Sequence, residues 1–350
     1  MSSSPESNGP VGGPAEVARV VGQIRANMER VIEGKPDMVR LALVALLAEG
    51  HLLIEDVPGV GKTMLAKALA RSIDCSVRRI QFTPDLLPSD VTGVSVFNQE
   101  RGDFEFKPGA IFANIVLGDE INRASPKTQA ALLESMEEHQ VTMDGVTYQL
   151  GVPFMVVATQ NPVEHEGTYP LPESQRDRFL LQLSMGYPTR EAEVEILETH
   201  GRSSQLAAIG PVADAPTVAS MIEWCRTGVF VADSLKQYIV DMVRATRSEP
   251  DLALGASPRA SLALLRAARA AAAGAGRAYV VPDDVKDLVV PVLAHRLIRA
   301  PEAEMAGRST AGILAGVMER VPVPVGPGDG RQPERGVRAR TDGGDRGRPA

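Results

Sequence analysis

The pattern of apolar and polar positions changes once along the chain, near residue 188. Before that point, short apolar runs typical of strands alternate with stretches of helical spacing, and after it only helical spacing is found. The strand-like runs are residues 52–54, 77–82, 111–117, 154–158 and 179–183. Because strands that alternate with helices form parallel sheets, the fold class predicted is α/β, with a doubly wound, mostly parallel sheet followed by an all-helical domain.

Helical spacing also occurs in the first half of the chain. Residues 15–32 and 36–50 have it ahead of the first strand, and residues 64–69 and 129–138 have it between strands. In the second half the predicted helices are 189–198, 218–225, 235–246, 261–273 and 283–298, with Pro291 kinking the last. Residues 1–14 and 322–350 lack apolar spacing and predict disordered tails, so the predicted domains are 15–188 and 189–321.

Two further stretches predict short hairpins inserted in the first domain. The first pairs residues 94–96 with 104–106, and the second pairs residues 141–143 with 146–148 across an Asp-Gly dipeptide. Asp-Gly between alternating apolar positions is a strong signal for a type I′ turn. Both hairpins are expected to project from the domain, either as functional arms or as decoration of its surface.

A glycine-containing loop joins the first strand to the helix that follows it. Its residues are Pro58, Gly59, Val60, Gly61, Lys62, Thr63 and Met64. Glycine lets the backbone approach an anion closely, and the amino end of the following helix favours negative charge. Lys62 would reach the terminal phosphates and Thr63 would hold Mg²⁺. Asp56 stands where the strict pattern has glycine, but the strand and helix context predicts a nucleotide-phosphate loop.

Paired carboxylates follow the apolar run at residues 111–117. Asp119 would supply a ligand for Mg²⁺, and Glu120 would orient and deprotonate a water molecule. Asn161 follows the next apolar run, and ligands of such sheets lie beyond the carboxyl ends of the strands. Kinases need the metal carboxylate but no adjacent water-activating glutamate. The sequence therefore favours hydrolysis of a nucleoside triphosphate.

Net charge, cysteine positions and apolar runs limit the classes of partner and the cellular location that we expect. The net charge of −7 and the pI of about 5.4 argue against a dominant nucleic-acid surface, although a local basic channel stays compatible with them. Cys75 and Cys225 have no ligand-like spacing and predict buried, reduced thiols. The amino terminus has no signal-peptide pattern, and the longest apolar run is too short to span a bilayer, so we expect a cytoplasmic protein.

Four sequence runs then identify a family. GAIFANIVLGDEINRASPKTQAALLESMEEHQVTMDG, ATQNP, EGTYPLPESQRDRFLL and GASPRASLALLRAA resemble the MoxR family of AAA+ ATPases, and the resemblance covers about residues 31–299. It implies a P-loop core with a helical lid that binds ATP and Mg²⁺. Asn161 is similar to the sensor that positions the lytic water, and Arg178 to the arginine finger given to a neighbouring subunit. Arg259 resembles the second sensor, which reaches from the lid to the γ-phosphate. Arg176 stands where the family usually has an apolar residue, so it remains an alternative finger.

The resemblance also implies partners. It suggests a homo-oligomeric ring of six subunits with the two hairpins facing the pore, whereas the residues themselves indicate only an oligomer. The implied activity is that of a chaperone, commonly acting on proteins with a von Willebrand A domain during maturation or metal-cofactor assembly. A nucleic-acid-translocating ring and a nucleotide-gated scaffold with little hydrolysis are the alternatives, and the acidic balance weighs against the first.

Overall fold

The structure is a computed structural model that describes residues 12–55, 61–161, 167–184, 186, 190, 194 and 205–324. Most of both predicted tails and most of the predicted helix 189–198 lie outside these residues. Within the described ranges, no helix has both the length and the apolar character needed to cross a bilayer.

Helices and short strands alternate in the first half, and helices dominate the second. The helices are α1 (Pro14–Glu29), α2 (Pro36–Leu47), α3 (Lys62–Ser72), α4 (Pro88–Thr92), α5 (Pro126–Glu138), α6 (Glu173–Arg176), α7 (Ala215–Thr227), α8 (Asp233–Arg247), α9 (Pro258–Gly274), α10 (Pro282–Leu293), α11 (Pro301–Met305) and α12 (Thr310–Arg320). The strands are β1 (Leu52–Glu55), β2 (Ile73–Asp74), β3 (Val77–Gln81), β4 (Gly93–Asn98), β5 (Asp103–Pro108), β6 (Ile115–Asp119), β7 (Gln140–Met143), β8 (Val146–Gln149), β9 (Met155–Gln160), β10 (Leu181–Leu183), β11 (Ala213–Asp214), β12 (Leu252–Leu254) and β13 (Ile298–Arg299). Short 3₁₀ turns cover Ile121–Arg123, Gln205–Ala208 and Ala294–Arg296.

The central sheet has five parallel strands in the order β10-β1-β9-β6-β3. Leu52 at the start of β1 pairs with Leu181 on one side and Val157 on the other. Since all five strands run the same way, their carboxyl ends share one edge and their amino ends share the opposite edge. The predicted parallel, doubly wound sheet is confirmed.

The two faces of the sheet pack into two separate apolar clusters. Leu52 and Ile54 of β1 lie in the larger cluster with α1, α2, α3 and the helices of the second half, whereas Leu53 lies in the smaller cluster with α5. This division follows from the alternation of side chains along a strand. One continuous apolar cluster therefore joins the sheet to the helical domain.

Two predicted elements differ from the structure by four or more residues at one boundary. The strand predicted at 111–117 is Ile115–Asp119, because Ile111 and Ala113 are buried in a turn rather than in the sheet. The helix predicted at 283–298 ends at Leu293, beyond Pro291, and a 3₁₀ turn follows it. Apolar spacing continues past the helix since Leu297 is also buried.

Both predicted hairpins form separate two-stranded sheets, β4 with β5 and β7 with β8. Asp144 and Gly145 have φ angles of 51° and 79°, so both have the positive φ that a type I′ turn requires. The ring of Phe106 in β5 stacks on Tyr148 in β8 with 4.1 Å between the centroids. The two hairpins therefore lie side by side.

Candidate functional site

The described part of the predicted phosphate loop begins at Gly61. Gly61 has φ 92° and ψ 14°, a left-handed conformation that glycine adopts without steric cost, and it caps the amino end of α3. Lys62 is the first residue of that helix and donates a hydrogen bond of 3.5 Å from Nζ to the carbonyl of Gln160 at the end of β9. Thr63 and Met64 follow in the first turn. Pro58, Gly59 and Val60, like Asp56, lie outside the described residues.

Asp119 ends the buried strand β6 beside this helix. It is 6% exposed, and its two carboxylate oxygens contact different groups. The hydroxyl of Thr159 donates to Oδ1 at 3.4 Å, and Nε of Arg79 lies 2.7 Å from Oδ2. A hydroxyl at a helix start and a carboxylate at a strand end are hard oxygen donors of the kind that Mg²⁺ prefers, so Thr63 and Asp119 fit the predicted metal.

Glu120 leaves the strand in a strained backbone conformation. Its φ of 59° and ψ of 50° are left-handed, which costs a residue other than glycine about 1–3 kcal/mol. The hydroxyl of Thr159 accepts a 3.0 Å hydrogen bond from the Glu120 amide and so holds this conformation. The carboxylate accepts hydrogen bonds from Gln81 Nε2 at 2.9 Å and from Arg123 Nη1 at 3.1 Å.

Asn161 lies at the same edge, directly after β9. It is 5% exposed, and its backbone carbonyl accepts a hydrogen bond of 3.3 Å from Nδ2 of Asn122. Asn122 was not predicted as a site residue, although it follows Glu120 by only two positions. Its own Oδ1 is buried and has no hydrogen-bond partner within the described ranges. Asn122 thus links the paired carboxylates to the Asn161 backbone.

The predicted arginines lie elsewhere. Nε of Arg178 is 3.1 Å from Oε2 of Glu137, and Arg259 pairs with Oε1 of the same carboxylate. Arg176 instead approaches Glu173 of its own helical turn, at 3.8 Å. The structure therefore brings Arg178 and Arg259 together on Glu137, a residue that the sequence analysis did not single out.

His51 fixes where this arginine cluster lies in the fold. It immediately precedes β1, and its carbonyl accepts a 2.9 Å hydrogen bond from the amide of Leu180, two residues after Arg178. Its Nε2 is 3.0 Å from the carbonyl of Met136, next to Glu137. Arg178 and Glu137 thus lie at the amino edge of the sheet. Burial lowers the pKa of His51 to about 4.

The two groups of site residues are separated by the length of the sheet. Strand β6 has five residues, which corresponds to about 16 Å between its two ends. Lys62, Asp119 and Asn161 are at one end, and the arginines are at the other. We expected Arg259 to reach the γ-phosphate from the lid of the subunit that binds it. Its pairing with Glu137 at the amino edge differs from that expectation, because the helical domain packs against this edge.

A buried ion pair joins this edge to the helical domain. Arg296, in the 3₁₀ turn after α10, is 5% exposed, and its Nε lies 2.6 Å from Oδ1 of Asp177. Its Nη2 donates a 2.6 Å hydrogen bond to the carbonyl of Phe179. Ser257, at the start of α9, donates a 3.2 Å hydrogen bond from its hydroxyl to the Asp177 carboxylate instead of capping its own helix. Burial lowers the pKa of Arg296, while Asp177 opposes that shift.

Comparisons with known proteins agree with this architecture. The family model described as "ATPase family associated with various cellular activities (AAA)" matches residues 51–181, and the one described as "AAA lid domain" matches residues 244–315. Chaperone MoxR1 of Mycobacterium tuberculosis is 40% identical over 339 residues, which cover 92% of this chain and 88% of MoxR1.

Two other comparisons cover nearly the whole chain. The uncharacterized protein YeaC of Bacillus subtilis is 52% identical over 306 residues, which cover 87% of this chain and 95% of YeaC. A crystal structure of a protein from Cytophaga hutchinsonii has a TM-score of 0.82 and 38% identity, covering 89% of this chain and 97% of that chain.

Fold and site together define an AAA ATPase with a helical lid. The chain belongs to the MoxR family of these ATPases, and its reaction is ATP hydrolysis.

Proposed function

We propose that this protein is a chaperone ATPase that hydrolyses ATP at the interfaces of a ring of identical subunits and uses the cycle to act on a protein client. The observation that carries the proposal is the separation of the phosphate-side residues from Arg178 and Arg259 by the length of one sheet. A chain with this arrangement cannot bring both groups to its own nucleotide. A second copy can supply the missing one.

The carboxyl edge of the sheet would bind the nucleotide and activate water. Lys62 and the amino end of α3 would hold the terminal phosphates, and Thr63 and Asp119 would hold Mg²⁺, which neutralises phosphate charge. Glu120 would take the proton of the attacking water, and Asn161 would position that water. The hydrogen bond from Lys62 to the Gln160 carbonyl supports a common site, because it joins the start of α3 to the end of β9, directly before Asn161.

The amino edge of the sheet would complete the site of the adjacent subunit. Arg178 would neutralise the charge that develops on the transferred phosphoryl group, an effect of about 10³–10⁵ in rate for such fingers. The pairing of Arg178 with Glu137 and of Arg176 with its own turn supports Arg178 over Arg176. An interface between two different faces is heterologous, and such interfaces close into rings; the family resemblance suggests six subunits.

The paired hairpins would contact the client. Phe97 and Phe104 are 51% and 72% exposed at the end of the first hairpin, and large exposed apolar side chains are typical of protein contacts. The resemblance extends the proposal to a cytoplasmic client with a von Willebrand A domain and to its metal-cofactor maturation. Capture of partners by ATP-loaded Glu120→Gln protein from the native cell tests this; a consistent failure to enrich such a protein contradicts the extension.

Mixing two inactive variants tests the shared site. Glu120→Gln keeps Arg178 but loses water activation, and Arg178→Ala keeps the complete phosphate side but loses the finger. We expect each to be inactive alone and a 1:1 mixture to recover turnover at about one interface in four, since that interface combines both intact halves. The control mixes Arg178→Ala with the double variant Glu120→Gln/Arg178→Ala. Equal rates in the mixture and the control would refute a finger in trans.

A further inference from the structure

Glu137 is the carboxylate at the amino edge with which both Arg178 and Arg259 form ion pairs. It lies in the last turn of α5, which is anchored by the buried side chains of Leu132, Leu133 and Met136. The hydrogen bond between His51 and the Met136 carbonyl fixes the end of this helix against the sheet. The Glu137 side chain itself is 34% exposed. The partly exposed carboxylate of Glu137 therefore lies at the end of a helix that buried side chains hold in place.

Two cations from different segments approach this one carboxylate. Arg178 comes from the loop before β10, and Arg259 comes from the first turn of α9 in the lid. Two guanidinium groups repel each other at short distance, and a carboxylate between them offsets that repulsion. The same two segments are joined a second time, because Ser257, directly before α9, donates a hydrogen bond to Asp177, directly before Arg178. The loop that carries Arg178 and the lid helix α9 are thus held in one fixed arrangement.

The geometry leaves both arginines able to bind a further anion. Arg178 approaches Glu137 through Nε as an ion pair without a hydrogen bond, and its two terminal amino groups form no ion pair or hydrogen bond with the described residues. Arg259 uses Nη2 and has no second ion pair within the described ranges. Terminal guanidinium nitrogens are well suited to phosphate oxygens, which they bind as a planar fork.

We infer that Glu137 is a positioning residue that presents Arg178 and Arg259 together to one triphosphate of the adjacent subunit. This inference rests on the proposed trans arrangement. Glu137 does not touch the reacting atoms; it sets the place and direction of the two side chains that do. Misplacement of such groups is costly, because rate depends steeply on the geometry of charged groups around the transition state.

The test places Glu137→Gln on one side of a mixed interface at a time. In this mixture the donor subunit, Glu120→Gln, supplies the arginines, and the acceptor subunit, Arg178→Ala, supplies the phosphate site. Only acceptor phosphate sites that are completed by donor arginines hydrolyse ATP. We expect Glu137→Gln on the donor to lower the rate of the mixture by at least about tenfold. The same change on the acceptor should leave the rate unaltered, because the arginine side of the acceptor is not used. Nucleotide affinity and thermal midpoint should match the parent.

Two controls make the outcome decisive. Glu138→Gln on the donor removes the neighbouring exposed carboxylate, which has no ion pair among the residues the structure describes, and should leave the rate unaltered. Glu137→Asp on the donor keeps the charge and should recover part of the loss. An equal loss from donor and acceptor, or no loss from the donor, would overturn the inference. A parent mixture without any turnover would instead overturn the proposed function.

Discussion

The two edges of the central sheet differ in charge, in origin and in how they are held. The carboxyl edge has Asp119, which ends a strand of the sheet, and Glu120 and Asn161, which directly follow strands. The amino edge has Arg178 and Arg259, which come from a loop and from the lid and meet on a helix end. In the proposed function, each edge is half of a catalytic site. If that proposal holds, one chain carries both halves of the chemistry and needs a second copy to join them.

The largest effect expected from this division is on nucleotide binding. Lys62→Ala should abolish detectable binding of ATP, because it removes the only predicted cation of the phosphate loop. Arg178→Ala, at the other edge, should bind ATP as the parent does. Titration of both variants with a fluorescent ATP analogue measures this directly, with Lys67→Ala as a control on the exposed side of the same helix. Equal weakening by Lys62→Ala and Arg178→Ala would contradict the division into two edges.

A smaller effect concerns the stability of the amino edge. Arg296→Met leaves the Asp177 carboxylate and the Phe179 carbonyl without their buried partner, which should lower the free energy of unfolding by about 3–5 kcal/mol. Arg299→Met, three positions further, removes an exposed ion pair with Glu304 and should cost no more than about 1 kcal/mol. Urea unfolding of both variants checks the difference. Similar losses would mean that Arg296 does not anchor this edge.

The smallest effect is the pH dependence contributed by His51. Its pKa falls from an ordinary value of 6.5 to about 4 in the folded chain, chiefly because of burial. Between these values the unfolded chain binds the additional proton, so the stabilisation is present above pH 6.5 and is lost as the pH falls towards 4. The loss amounts to about 3 kcal/mol.

His51→Gln isolates this contribution. Glutamine can accept from the Val156 amide and donate to the Met136 carbonyl, as His51 does, but it does not titrate. Denaturant unfolding at several pH values between 7 and 4 should therefore give a shallower decline for the variant than for the parent. Parallel curves would show that His51 is not the titrating group.

The sequence was informative about the fold where one signal dominated. Apolar runs located the strands of the sheet, and the Asp144-Gly145 dipeptide located a turn that has the expected φ angles. Apolar spacing predicted a wrong strand boundary where a residue is buried without pairing in the sheet. Ile111 is buried outside the sheet, so the strand begins four residues later than predicted.

The candidate site was predictable to the extent that its residues are neighbours in sequence. Asp119 and Glu120 are adjacent and end a strand, so their shared edge follows from the parallel sheet. Gln81 was missed because its approach to Glu120 depends on the register of β3 against β6. Glu137 was missed because no local pattern reports where the lid packs, and the same reason explains the unexpected place of Arg259.

The continuous apolar cluster has a consequence for how motion can be produced. Among the described residues, buried side chains of the sheet and of the lid belong to one apolar cluster, so a hinge motion of the lid would have to disrupt that cluster. The buried ion pair between Arg296 and Asp177 also holds the helical domain against the sheet. In the proposed ring, we therefore expect each protomer to move as one rigid body and ATP hydrolysis to change the orientation between neighbouring protomers.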